Sequence, residues 1–561
     1  METRNSKFEI RNYRTAGSVL LVVLFVIMAI TVLSLGFLTR SDAELACGQN
    51  MSMRIQMDQL VDSGLQHAKG LILNPQDIDI SSGSWSATAQ QLVADTNDYY
   101  DVAITRDDSD ANDQCNYTID CNAYRLSSGE QTARSDLSAE MRLDPCIALW
   151  VGAGTTTTLW NELTVYGDVY CADGLINQGR IYGDVFAGSL TGAGTKTGQL
   201  NSQTLSLTWP DITVQDFLSR CTEHYTGDYV LTGNAHINGM LLVEGSLTVR
   251  GTDNVIDAGK NLPALYVTGD LIVEQSASLS ITGLAVVDNR VLIYGNAGLN
   301  VLGGLFTRGV FAETVVDSSG NGNSGTLYNG PIRSIDGGHS ALIFDGVNDY
   351  AQTANSSTKL QLTGNYTISV WIKPNSVQNS WAGIVSRTNS SGTLNHWTLQ
   401  FNSSIPRKLI IHHLSASWDT GITINDLVAG GTWHHVAVVR SGTAIKSYFD
   451  GTERSTSDPT YNPSSGLGHL NIGADRTASS SYVYSGLIDD VRIYNRALDV
   501  NEISSPPDDL NLIGHWRFDE NAPNVTITAE PAKSAITVGP QGARQRWGQA
   551  AGAFFRSISR R

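Results

Sequence analysis

Four patterns of apolar and polar positions follow one another along the chain. From Ala16 to Thr39 no residue is charged, and the run Val19-Leu-Leu-Val-Val-Leu-Phe-Val-Ile-Met-Ala-Ile30 is almost wholly apolar. At about 1.5 Å per residue this segment makes roughly 36 Å of helix, enough to cross a hydrocarbon layer of about 30 Å. Met51, Ile55, Leu60, Val61, Leu65, Ala68, Leu71 and Ile72 then recur at three- and four-residue steps, which predicts an amphipathic helix running to Asn74-Pro75. From about Trp150 to Phe311 the period shortens to two. Val165-Tyr-Gly-Asp-Val-Tyr170 returns sixteen residues later as Ile181-Tyr-Gly-Asp-Val-Phe186, with looser echoes at Tyr266–Ile272 and Leu292–Asn296. Alternation broken by Gly-Asp and Gly-Asn turns at near-constant spacing predicts stacked rungs, a β-solenoid-like middle, with a β-sandwich as the alternative. After Val316 the strands are joined by Asn-Gly and Asp-Gly turns, as in antiparallel hairpins.

Charge orients this scheme. Arg4, Lys7, Arg11 and Arg14 outweigh Glu2 and Glu9 before the apolar run, and Asp42 and Glu44 follow it. The positive-inside rule puts the N-terminus in the cytoplasm and the bulk in the periplasm or at the cell surface. The net charge of −17 and the absence of any RRM, zinc-finger or Walker motif exclude nucleic acid as partner. Six cysteines, Cys47, Cys115, Cys121, Cys146, Cys171 and Cys221, all follow the apolar run, and none forms a CxxC pair. In an oxidising compartment they are expected to form disulfides, with Cys115 and Cys121 able to close a short loop. Asp107–Asp113 is acidic, but counting from Asp108 a calcium loop would need Gly at Asp113 and Glu at Ile119, so it reads as a solvated turn. No nucleophile elbow, HExxH, phosphate loop or paired catalytic carboxylate stands out, and no enzyme is expected.

Two stretches resemble known families. The basic leader, the Gly17-Ser18 junction, the apolar run and its amphipathic extension resemble PilX-type minor pilins and K-type minor pseudopilins. That likeness implies cleavage between Gly17 and Ser18 and partners among other pilins or secretion-system components. Val22 stands at the fifth mature position, where major pilins carry Glu; an ordinary signal anchor shares every feature but the junction. The solenoid stretch resembles polymer-forming, bactofilin-like bodies. Leu342-Ile-Phe-Asp-Gly-Val-Asn-Asp-Tyr350, Tyr366-Thr-Ile-Ser-Val-Trp-Ile372, Trp433-His-His-Val-Ala-Val-Val439 and Gly486-Leu-Ile-Asp-Asp-Val-Arg-Ile-Tyr494 resemble laminin G-like, concanavalin A-like jelly rolls. That resemblance implies a glycan or protein ligand, and a structural calcium held by Asp317, Asn321, Asn323, Asp489 and Asp490. Trp371, Trp433 and Phe449 read as core. The opening strand of such domains is missing before Asp317 and stands instead at Leu512-Ile-Gly-His-Trp-Arg-Phe-Asp-Glu520, which suggests a circularly permuted insertion or the start of a second, truncated module.

The expected organisation is a mainly β protein: a leader (1–15), a transmembrane helix (16–39), a pilin-like helix and cysteine region (40–149), solenoid-like repeats (150–311), a jelly roll (312–520) and a C-terminal continuation of the solenoid (521–561). The expected function is a membrane-anchored minor pilin or pseudopilin displaying a ligand-binding module. The alternatives are a signal-anchored surface lectin and a polymer-forming scaffold.

Overall fold

The computed structural model describes residues 15–73, 84–106, 116–144, 146–202, 209, 212–258, 263–353, 358–389, 395–413, 416–457, 466–476 and 480–529, with four short strands beyond. The acidic loop at 107–113 and Cys115 lie outside these residues. Helix α1 (Thr15–Leu73) is continuous for 59 residues and takes in both the apolar run and its amphipathic extension. The large apolar side chains from Val19 to Leu38 are exposed, and this part of the helix is long and apolar enough to cross a membrane. Met57, Leu60, Val61, Leu65, Ala68 and Ile72 are buried against Tyr100, Val102, Ile104 and Ile119 of an antiparallel sheet built from Ser84–Gln90, Asp98–Arg106, Asn116–Ser127 and Glu130–Asp144. Gly64 permits this approach: a Cβ there would stand 3.1 Å from the Tyr100 ring.

The middle is a solenoid. Its strands pair in parallel, and the repeated motif stacks on itself, Val165 on Ile181, Tyr166 on Tyr182 and Val169 on Val185. A β-sandwich of antiparallel strands is therefore ruled out for this stretch. The Gly-Asp turns have a specific task. A Cβ on Gly183 would lie 2.4 Å from the Gly167 carbonyl oxygen, so only glycine lets successive corners stack. Buried Asp168 accepts from the amides of Cys146 (2.6 Å) and Asp184 (2.8 Å), and Asp184 accepts from the Gln199 amide (2.7 Å), satisfying each corner from the rung beside it.

The rungs are not stacked in chain order. Along one face the order is Leu200–Asn201, Val185–Phe186, Asp168–Cys171, Ile147–Val151, Leu305–Thr307, Ala285–Val287, Leu265–Val267, Leu241–Glu244, Glu223–Thr226. The chain starts mid-stack, winds to one end, crosses to the other end and winds back until Leu305 pairs with Leu149. Ile212 and Phe217 of the crossing segment cover an outward apolar row of Trp150, Tyr170, Met240, Tyr266 and Phe306.

The jelly roll is inserted into a single rung. Phe311–Val315 pairs in parallel with Val291–Tyr294, and the same rung resumes at Asn524–Thr528, which fits between Gly298–Leu302 and Leu163–Tyr166. Thr314 and Val315 also pair antiparallel with Gly325–Thr326, so one 12-stranded sheet runs from the solenoid into the jelly roll. A second sheet of Ile332–Asp336, His339–Asp345, Ser485–Tyr494, Tyr366–Pro374, His434–Ser441, Ala444–Phe449 and Thr452–Ser457 closes the sandwich. Leu512–Trp516 adds to the Ser485–Tyr494 strand, and Trp516 is fully buried in the common core. The displaced strand thus belongs to this jelly roll and not to a second module.

The cysteine expectation is corrected. Cys47, Cys121, Cys171 and Cys221 are free thiols; of the described cysteines only Cys146 is disulfide-bonded. The four are held on separate elements: Cys47 on exposed α1, Cys121 under α1, Cys171 inside the solenoid and Cys221 beside the crossing segment. Burial pushes the Cys121 thiol up to about 11 and Cys171 up to about 12, so both are poor nucleophiles.

Candidate functional site

The Ser485–Tyr494 strand changes neighbour halfway. His339–Asp345 lies beside its first half (Leu342 opposite Ile488), and Leu512–Trp516 beside its second (Val491 opposite Trp516). At the changeover the strand bulges. Against Tyr366–Pro374, Ser369 pairs with Arg492 but Trp371 with Asp489, which inserts one extra residue at Asp490, held at φ +47°. Consecutive strand residues ordinarily face opposite sides. Here Ile488 and Val491 enter the core, while Asp489 and Asp490 both line one cleft on the outer face.

That cleft has a volume of about 230 Å³ and is walled by His339, Trp371, Asp489, Asp490, Arg492 and Arg517. His339 Nδ1 lies 2.8 Å from Asp489, and its ring packs 4.8 Å from Trp371 and 4.4 Å from Trp433. Below Trp371, buried His435 bonds Ser369 at 2.7 Å and packs its ring 5.2 Å away. The Trp433 indole is committed to Asp336 (2.9 Å), whereas the Trp371 indole N–H has no hydrogen-bond partner among the described residues. Trp371 and Trp433 are half-buried on this face and so are not core, as Ile368, Val370 and Ile372 are. The expectation that Trp371 and Trp433 are core is thus corrected; strict alternation in the Tyr366–Pro374 strand is the signal that could have placed Trp371 outside.

The two carboxylates differ in kind. Burial pushes Asp489 up to about 6, with His339 drawing it back. Asp490 is also opposed by burial, yet His515 (2.7 Å) and Arg492 (2.9 Å) hold it below the usual carboxylate range. A half-exposed indole with a free donor, beside carboxylates and guanidinium groups, suits a ligand with polarised C–H groups on one face and hydroxyls at its rim.

The residues expected to hold calcium do not converge. Asp317 accepts three backbone amides, from Ser319 (3.0 Å), His515 (2.9 Å) and Asn323 (2.9 Å). The Asn321 side-chain oxygen faces the Lys359 ammonium at 2.6 Å, and the Asn323 amide donates to the Ile513 carbonyl at 2.8 Å. Asp489 and Asp490 are engaged by histidines and Arg492 as above. This loop staples the Leu512–Trp516 strand into place, with Asp317 and the Asn321 oxygen engaged by backbone amides and the Lys359 ammonium. Among the described residues no three His, Cys, Asp or Glu side chains gather as a metal site.

Residues 345–504 match the model of the concanavalin A-like lectin/glucanases superfamily, Laminin_G_3. The match is less than half the chain and stops short of the Leu512–Trp516 strand. Solved structures similar to this chain include domain 4 of AbnA, a GH43 extracellular arabinanase from Geobacillus stearothermophilus, in complex with arabinotriose (19% identity, 33% of this chain and 89% of that one, TM-score 0.27). A heptameric SAP-like pentraxin from Limulus polyphemus (18%, 28% and 79%, TM-score 0.23) and a Trypanosoma rangeli sialidase (16%, 35% and 32%, TM-score 0.25) are also similar. No curated protein matches the chain.

Proposed function

We propose that this protein is a membrane-anchored, pilin-like envelope component whose inserted jelly roll binds glycans in the cleft beside Trp371. The observation that carries the binding reading is the bulge at Asp490, which turns two carboxylates toward a half-exposed tryptophan with an unused donor. Support for the anchor comes from α1, exposed and apolar in its first half and packed on an antiparallel sheet in its second. With the basic leader inside, the solenoid and jelly roll stand outside the membrane, in the periplasm or at the cell surface. Gly17-Ser18 falls in the first turn of α1, and cleavage there would give a pilin-type mature end suited to assembly with other pilins.

Binding of the full-length protein to a glycan array tests the first part: Trp371→Ala should abolish it with the melting temperature unchanged. Binding that survives this change would remove the site. N-terminal sequencing of native protein tests the second, with Ser18 expected and an intact Met1 pointing to a plain signal anchor. The contrast between Asp489 and Asp490 also suits acid–base chemistry on a glycosidic bond, but Asp490 is committed to His515 and Arg492. Release of shortened sugars from a bound oligosaccharide would establish hydrolysis in place of simple binding.

A further inference from the structure

The Trp371 cleft does not end at the jelly roll. Ser340 and Asp519, on its wall, also line a second cleft of about 530 Å³ between the jelly roll and the solenoid corner. The far wall of that second cleft is polar and uncharged for the most part: Asn161, Asn296 and Asn524 are exposed there, on turns and strand starts of neighbouring rungs. Asn524 is level with Gly298 across one strand pair, and Val525 with Leu163 across the next. The three asparagines therefore stand at the same end of three adjacent rungs, offset from one another by one or two residues along the strands.

The two walls are fixed relative to each other. One sheet runs through both units. Asn296 and Asn521 exchange hydrogen bonds at 2.9 and 3.0 Å. A Cβ on Gly295 would meet the Glu520 side chain at 2.1 Å, so the returning chain lies directly on the solenoid. Every cation along the groove is paired among the described residues, His339 with Asp489, Arg492 with Asp490, Arg517 with Asp519 and Arg333 with Glu520, while Glu162 on the solenoid wall is an exposed carboxylate with no ion pair. No cation is left to attract a polyanion, and the chain as a whole carries −17.

We infer that the two clefts are one binding groove, and that its ligand is a linear, uncharged oligosaccharide long enough to reach from Trp371 to the solenoid asparagines. This inference rests on the glycan-binding reading above and adds the solenoid as half of the site. Insertion of the jelly roll into a rung is then what builds the groove, since neither unit alone has both walls.

The test is calorimetric titration of the detergent-solubilised full-length chain with monomers, trimers and hexamers of β-1,4-glucan, β-1,4-xylan, α-1,5-arabinan and chitin, and with hexagalacturonate. For the series that binds, the hexamer should bind roughly tenfold or more tighter than the trimer. The double change Asn161→Ala with Asn524→Ala should return the hexamer to the trimer's affinity and leave the trimer unaffected, which also shows that the variant is folded. Trp371→Ala should lose both. Equal trimer and hexamer affinities, or a hexamer gain that survives the double change, would overturn the shared groove and leave glycan binding standing. Tighter binding of hexagalacturonate than of every neutral hexamer would overturn the uncharged ligand. If no sugar binds the unaltered chain, the groove and the binding reading fall together.

Discussion

Arg333 holds the junction, and replacing it with methionine should destabilise the protein sharply. Its side chain is only 11% exposed, with Nε 2.5 Å from Glu313 of the last solenoid strand and Nη2 3.3 Å from Glu520 of the returning chain. Nη1 also donates to the Glu520 carbonyl at 3.0 Å. The partner carboxylates are 7% and 3% exposed, so Arg333→Met leaves two buried negative charges facing each other. Removing one partner of such a buried cluster costs roughly 3–5 kcal/mol, a large share of a domain's 5–15 kcal/mol or so. For units of this size the melting temperature should fall by roughly 10 °C, read by differential scanning fluorimetry of the full-length chain in detergent.

The pH dependence supplies the second check. Burial already pushes Glu313 up, and Arg333 is what opposes it. Without the guanidinium the folded-state value rises further above the unfolded one, so the folded state takes up protons that the unfolded state does not. Stability of the variant must then recover as pH falls from 7 toward 5. Adding Glu313→Gln and Glu520→Gln to Arg333→Met should restore most of the loss at pH 7. A variant that melts within a degree of the unaltered protein, or whose deficit is the same at pH 5 and pH 7, would refute this account of the junction.

Three further outcomes are expected. Trp516→Ala empties a fully buried site and removes the indole bond to the Asn323 carbonyl (3.1 Å), so the jelly roll should lose roughly 3–5 kcal/mol; a loss below about 1 kcal/mol in chemical denaturation would place the strand outside the core. Thiol labelling of the denatured, unreduced chain should modify at least the four cysteines Cys47, Cys121, Cys171 and Cys221, and labelling of two or fewer would contradict their separation. Chelation should leave the melting curve unchanged, because three backbone amides already hold the Asp317 carboxylate; a fall of several degrees, abolished by Asp317→Ala, would restore the cation.

Local pattern alone carried α1, the solenoid and the jelly roll, because each rests on a period or a turn that neighbouring residues express. Twenty-four uncharged residues make a helix long and apolar enough to cross a membrane, and the three- and four-residue steps from Met51 to Ile72 need an apolar surface to cover. The repeated Gly-Asp corner required close stacking of like on like, and the strand Leu512–Glu520 announced itself by its misplaced motif. Alternation would also have placed Trp371 outside, had it been weighed above the general tendency of tryptophan to be buried. Periodicity does not say which strand lies beside which. The start of the solenoid mid-stack and the Leu305–Leu149 seam depend on pairings between residues more than a hundred positions apart, and the sheet that crosses from solenoid to jelly roll depends on Phe311–Val315 pairing with one neighbour from each unit. The same holds for the site: the Asp490 bulge exists because the facing strand counts one residue fewer, and Ser340 and Asp519 line one cleft because the chain leaves and re-enters a single rung. The carboxylates that the resemblance assigned to calcium are held by amides, histidines and a guanidinium, which only the packed structure brings within hydrogen-bond distance.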